Sequence, residues 1–110
     1  MNIFNYIIAL SKLEYAIHMA NKAHEQDGQR YYILPDANDR LIILTRYSFR
    51  KLKKQGLISS KATITDITRE SFYFTPHANG TGALSPAARK AKRKMYLEYT
   101  EFRRKQKRRN

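Results

Sequence analysis

Two apolar runs, Tyr31-Tyr32-Ile33-Leu34 and Leu41-Ile42-Ile43-Leu44, flank the five residues Pro35-Asp36-Ala37-Asn38-Asp39. β-Branched and aromatic side chains favour a pleated strand, and Pro, Asn and Asp favour a turn. Residues 30–34 and 40–44 are therefore expected to pair as a β-hairpin. Neither run alternates apolar with polar side chains. A sheet wetted on one side would alternate, so both faces of this hairpin need cover. The rest of the chain has to supply it.

That cover reads as helices. Leu10, Leu13, Ile17, Ala20 and His24 recur at steps of three and four and share one helical face, ended by Gly28. Ser11 and Glu14 have the spacing of a capping box, which marks Ser11 as a start for this helix. Residues 1–10 read equally as a backward extension of it or as a strand. Thr45 is an N-cap for a second helix, Arg46 to Gln55, closed by Gly56, with Phe49 and Leu52 as its narrow apolar side. Residues 59–70 show a weak pattern, at most a short strand near Thr63 and a helical turn near Asp66. Residues 71–75 read as a third strand ended by Pro76. Ser85 followed by Pro86 is a strong helix start, and Ala88, Ala91, Met95, Tyr99 and Phe102 form the stripe of a last helix reaching about Arg108.

The fold class is α+β: N-terminal helix, β-hairpin, second basic helix, third short strand, long basic C-terminal helix. The expected division is a globular body over residues 1–84 and a basic C-terminal helix over 85–110. Six positive charges in the seven positions from Arg103 to Arg109 are expected to fray or disorder its end unless a partner neutralises them.

Charge follows the same division. The chain has 110 residues and a formal net charge of +13. Residues 1–84 carry 11 basic and 7 acidic side chains, whereas residues 85–110 carry 11 and 2. A near-ordinary body with a basic appendage points to an anionic partner. At 42% hydrophobic residues the chain holds too much apolar material for a disordered basic tail.

Chemistry is sparse. The absence of cysteine excludes disulfides, thiolate zinc sites and cysteine nucleophiles. His18, His24 and His77 lack metal-ligand spacing, and no carboxylate pair stands out as an acid–base couple. No catalytic residue, metal or cofactor is expected, and the protein is not read as an enzyme. No apolar stretch is long enough for a bilayer span, and residues 1–10 lack the positive start and small-residue cleavage pattern of a signal peptide, so a cytoplasmic location is expected.

Binding candidates are clearer. Arg46, Arg50, Lys51, Lys53 and Lys54 place five like charges on one short helix, with Tyr47 in the same arc. Like charges this close repel, and phosphates would offset that. Arg89, Lys90, Lys92, Arg93 and Lys94 form the outward arc of the last helix, continued by Arg103, Arg104, Lys105, Lys107, Arg108 and Arg109. Tyr73, opposite in strand parity to Phe72 and Phe74, is a candidate base-stacking residue. Gly80, Thr81, Gly82 and Ser85 make a glycine loop before a helix start, a shape that can hold a phosphate on backbone N–H groups. The expected function is non-catalytic binding of nucleic acid, RNA or DNA, through phosphates and without sequence readout. The alternative is a protein-interaction factor, an inhibitor or assembly component docking its basic helix on an acidic protein or a ribonucleoprotein.

Overall fold

A computed structural model describes residues 2–109, with only the backbone described at Arg109. The element order is α1 (Ile3–Asp27), β1 (Tyr32–Pro35), β2 (Leu41–Leu44), α2 (Arg46–Lys54), α3 (Ile64–Glu70), β3 (Tyr73–Phe74) and α4 (Pro86–Arg109). The expected α+β order is present, with one additional short helix.

The hairpin closes through Asp36. Its carboxylate accepts the backbone N–H groups of Asn38 and Arg40 at 2.8 and 2.9 Å, while Asp39 takes the left-handed conformation at φ 63°. An Asp side chain tolerates that region better than most. The antiparallel register sets Tyr32 against Leu44 and Ile33 against Ile43. β3 adds antiparallel to the other side of β1, with Ile33 opposite Tyr73 and Tyr32 opposite Phe74, so the sheet order is β2-β1-β3.

Central β1 is buried on both faces, the condition that its unbroken apolar run implies. Ile33 and Tyr73 pack on Ala16 and Ala20 of α1. Tyr32 and Phe74 point the other way, onto Phe49 of α2 and Ile67 of α3. The sheet therefore lies between α1 on one side and α2 with α3 on the other.

Helix α1 starts at Ile3, where Asn2 accepts the Asn5 N–H at 2.9 Å. This corrects the start expected at Ser11 and resolves residues 3–10 as helix. Its buried residues are Ala9, Leu13, Ala16 and Ala20, because three small side chains let the helix settle close to the sheet. Gly28 ends it in the left-handed conformation, donating to the His24 carbonyl at 2.7 Å.

Two further expectations change. The expected helical turn near Asp66 is a full helix, α3, with no strand near Thr63, and it is nucleated by reciprocal bonds: Asp66 N–H to the Thr63 hydroxyl at 3.1 Å and Thr63 N–H to the Asp66 carboxylate at 2.8 Å. Helix α4 is rotated from its expected stripe. Ala91 and Phe102 face solvent, and Tyr96 is buried at 3% exposure, its ring nearly edge-on to Phe72 at 5.1 Å. Tyr99 adds a second contact to Phe72 at 5.3 Å. An aromatic cluster closed over Ala9 and Leu13 buries more apolar area than Ala91 could.

Candidate functional site

Helix α2 builds the first basic surface. Thr45 caps it, its hydroxyl accepting the Ser48 N–H at 3.1 Å. Phe49, 1% exposed, anchors it to the sheet, and that single anchor orients the rest. Arg46, Arg50, Lys51 and Lys54 are exposed, and Lys53 is half-buried with its ammonium 5.8 Å from the Phe49 ring centre. Among the described residues none of these five cations makes an ion pair. Tyr47 is 73% exposed beside them. Tyr47, Arg50, Lys51, Lys53, Lys54 and Ser60 line one open groove of about 670 Å³.

Helix α4 builds the second. Arg89, Lys90, Arg93 and Lys94 face outward, as their place in the arc implied. Lys92 does not, and its reading as a phosphate contact is corrected. Its ammonium donates to the carbonyl oxygens of Thr68, Arg69 and Ser71 at 3.0, 3.2 and 2.5 Å. Thr68 and Arg69 lie in the last turn of α3, whose carbonyls a helix leaves without internal donors and which carries its negative dipole end, and Ser71 is its C-cap. Burial holds the Lys92 pKa below the ordinary lysine value. Lys92 is thus a cap and a strut between α3 and α4.

The far end of α4 is tied to the hairpin turn. Asp39 accepts from Tyr99 Oη at 2.5 Å and Arg103 Nε at 2.8 Å, and Lys107 Nζ lies 3.3 Å from its other oxygen. These donors hold the Asp39 carboxyl below the usual carboxylate value, the Tyr99 hydrogen bond foremost. α4 is helical to Arg109, with Asp39 offsetting part of the cationic run. Arg103 also donates to Gln106 at 2.8 Å and is only partly open. Arg104 is half-buried, with one guanidinium nitrogen enclosed and unpaired. Lys105, Lys107 and Arg108 are exposed, and the Arg109 side chain lies outside the described residues.

Tyr73 is not a stacking platform. It is 9% exposed, and its hydroxyl donates to Asn21 of α1 at 2.7 Å. With α1 covering that face, strand parity sends Tyr73 into the core instead of into solvent. Arg89 sits over its ring with the guanidinium carbon 5.6 Å from the ring centre.

The glycine loop is closed upon itself. His77 N–H donates to the Thr81 carbonyl at 2.8 Å and Gly80 N–H to the His77 carbonyl at 2.9 Å. Asn79 accepts both the amide and the hydroxyl of Thr81, at 3.1 and 2.7 Å. The Ser85 hydroxyl accepts the Ala88 N–H at 3.1 Å as the cap of α4. With Gly80, Thr81 and Ser85 engaged in this way, the loop is a tight turn ended by a capped helix and not an open anion cradle.

One cation escaped the sequence reading because it stands alone in the chain. Arg30 reaches across the sheet end, its guanidinium carbon 4.0 Å from the Phe74 ring centre, and donates to the Gly82 carbonyl at 3.0 Å. Its other terminal nitrogen lies 2.5 Å from His77 Nε2. The adjacent charge of Arg30, with burial and Arg46 adding to it, lowers the His77 pKa, so the ring accepts this bond as the neutral form. Arg30, Arg46, Tyr47 and His77 share a shallow cavity of about 250 Å³.

Among the described residues no group of three or more His, Asp or Glu is arranged to hold a metal, and no helix is long and apolar enough to cross a membrane. Compared with known proteins, the chain matches no family model, no curated protein and no solved structure.

Proposed function

We propose that this protein is a non-catalytic nucleic-acid-binding protein that contacts phosphates of RNA or DNA through the outer face of α2 and the outward arc of α4. The observation that carries the reading is the set Arg46, Arg50, Lys51, Lys53 and Lys54, held on one anchored helix without an ion pair among the described residues. Solvated helix faces normally mix signs, and a single-sign face relieves its own repulsion when phosphates approach. Tyr47 stands within this face and is available to stack on an unpaired base. The contacts are assigned to backbone phosphates, which fix position and carry no sequence information.

Filter binding of an RNA oligonucleotide and a DNA duplex across a salt series tests the reading. Five phosphate contacts give a slope of about −4.5 in log affinity against log salt, on the order of several-hundred-fold between about 50 and 200 mM. Affinity that ignores salt, or no binding at low salt, refutes it.

A further inference from the structure

A cleft of about 400 Å³ opens between α1 and the first turns of α4. Leu13, Glu14 and Ile17 form one wall, and Arg89, Lys90 and Arg93 form the other. Both sets are spaced i, i+1, i+4, which confines each to an arc of about 100° on its helix. Phe72 and Tyr73 close the floor. Leu13, Phe72 and Tyr73 are buried and Ile17 is half-buried, whereas all four charged side chains are exposed. The volume lies within the range of small-ligand cavities, about 300–1,000 Å³.

The four charges are held apart. Among the described residues the Glu14 carboxylate forms an ion pair with none of the three cations across from it. The side chains of Glu14, Lys90 and Arg93 make no hydrogen bond either. Arg89 alone is steadied, its guanidinium carbon 5.6 Å from the centre of the Tyr73 ring. Opposite charges that line one gap without closing it suit a ligand that brings both an anion and N–H donors.

We propose that this cleft seats one unpaired guanine nucleotide of a bound single strand, with its Watson–Crick edge on Glu14 and its phosphate on Lys90 and Arg93. This rests on the nucleic-acid reading of α4 and names the nucleotide that its surface takes. Chemistry selects the occupant. Leu13 and Ile17 give a base apolar cover, and Arg89 offers a guanidinium plane of the kind on which unpaired bases stack. An ionised carboxylate only accepts hydrogen bonds. Guanine alone has two neighbouring donors on that edge, N1–H and N2–H, and so meets Glu14 through both oxygens. Adenine, cytosine and uracil each set an acceptor beside their donor, which the carboxylate repels. A zwitterionic amino acid also carries a donor and an anion, but its single carboxylate leaves three cations largely uncompensated. Phosphates do not, because Arg89, Lys90 and Arg93 belong to the same outward arc as Lys94, along which the strand continues.

Filter binding of a uridine oligonucleotide of about a dozen residues, with one central uracil replaced in turn by guanine, adenine or cytosine, tests the seat. The guanine strand is expected to bind on the order of tenfold more tightly than the other three at the same salt. Glu14→Gln is expected to bring all four strands within about twofold of one another and to leave the salt slope of the plain uridine strand as it was. Lys90→Gln with Arg93→Gln is expected to flatten that slope by about 1.4. Four strands bound alike by the wild-type chain, with a steep salt slope, overturn the seat and leave the phosphate contacts standing. Failure of every strand to bind at low salt overturns the nucleic-acid reading, and the seat with it. A guanine preference that survives Glu14→Gln overturns the role given to Glu14. That side chain is exposed, so the variant is expected to fold, with unchanged circular dichroism as the check. Guanosine monophosphate lacks the contacts along α2 and α4, so it is expected to compete only about a hundredfold above the strand's midpoint. Competition at the midpoint itself overturns the strand as the source of the nucleotide.

Discussion

Lys92 Nζ lies 2.5 Å from the carbonyl oxygen of Ser71, and the same ammonium reaches the carbonyls of Thr68 and Arg69. One side chain of the basic helix therefore closes the C-terminal end of the preceding one. Lys92→Met keeps much of the stem and removes the donors, so the Arg69 and Ser71 carbonyls lose this partner, while the Thr68 carbonyl keeps its bond from the Ser71 hydroxyl. The expected loss is about 1–3 kcal/mol. Thermal unfolding reads this as a fall of roughly 4–8 °C for each kcal/mol. Binding to nucleic acid is expected to stay near wild type, because Lys92 faces inward.

The Asp39 clasp sets opposite ends of a pH window. The Asp39 carboxyl is held below its ordinary value of 3.8, so its contribution is complete above that value and is lost as pH falls through the lower folded one. The Tyr99 hydroxyl is pushed up to about 12 from 10.0, by burial first and then by its bond to Asp39. Its contribution is complete below about pH 10 and is lost as pH rises through the folded value. Tyr31, whose hydroxyl donates to Asp27, is also raised to about 12 and adds to the same alkaline limb. Denaturant titrations across pH are expected to show Asp39→Asn flattening the acid limb and Tyr99→Phe flattening the alkaline one. Asn keeps the left-handed backbone available, so Asp39→Asn isolates the charge. Hydrogen exchange is expected to quicken over residues 103–108 in that variant.

Arg50→Gln, Lys53→Gln and Lys54→Gln together remove three exposed or half-exposed charges from α2. On the proposed function, affinity falls alike for all sequences and the salt slope flattens by up to about 2.7. Tyr47→Ala is expected to weaken single-stranded ligands by about 1–3 kcal/mol and duplexes less. Tyr73→Phe, which loses only the bond to Asn21, is expected to leave both unchanged in filter binding.

Gly82 has φ +76°, and a Cβ there would stand 2.9 Å from the His77 ring and 3.2 Å from Arg30. Gly82→Ala meets strain in the backbone and a clash with a pair already locked to the sheet end. A loss of about 1–3 kcal/mol is expected in thermal or urea unfolding. Gly80→Ala, with nothing within 4 Å of its Cβ position, meets the backbone strain alone and is expected to cost less.

Legibility followed the range of the signal. The hairpin, the Thr45 cap of α2 and the Ser85-Pro86 start of α4 rest on residues adjacent in sequence, and each stands where those residues place it. Helix α3 reads as no more than a helical turn near Asp66 because seven residues offer less than two turns of periodicity, and its stability comes from one capping box and the packing of Ile67. The start of α1 was missed because its first turns are apolar on every side. Periodicity cannot pick a face there, and the Asn2 cap is a single residue.

The same division runs through the candidate site. Local order in the chain determined that five cations share α2, that two thirds of the excess charge follows residue 84, and that the hairpin must be covered on both faces. Which basic side chains meet solvent was a tertiary decision. The ring contact of Tyr96 with Phe72 rotated α4 and turned Lys92 onto the carbonyls of α3. The cover of α1 over β3 took Tyr73 inside. Hydrophobic area and unpaired carbonyls outweigh the pattern of one isolated helix, because they are satisfied only between elements distant in the chain.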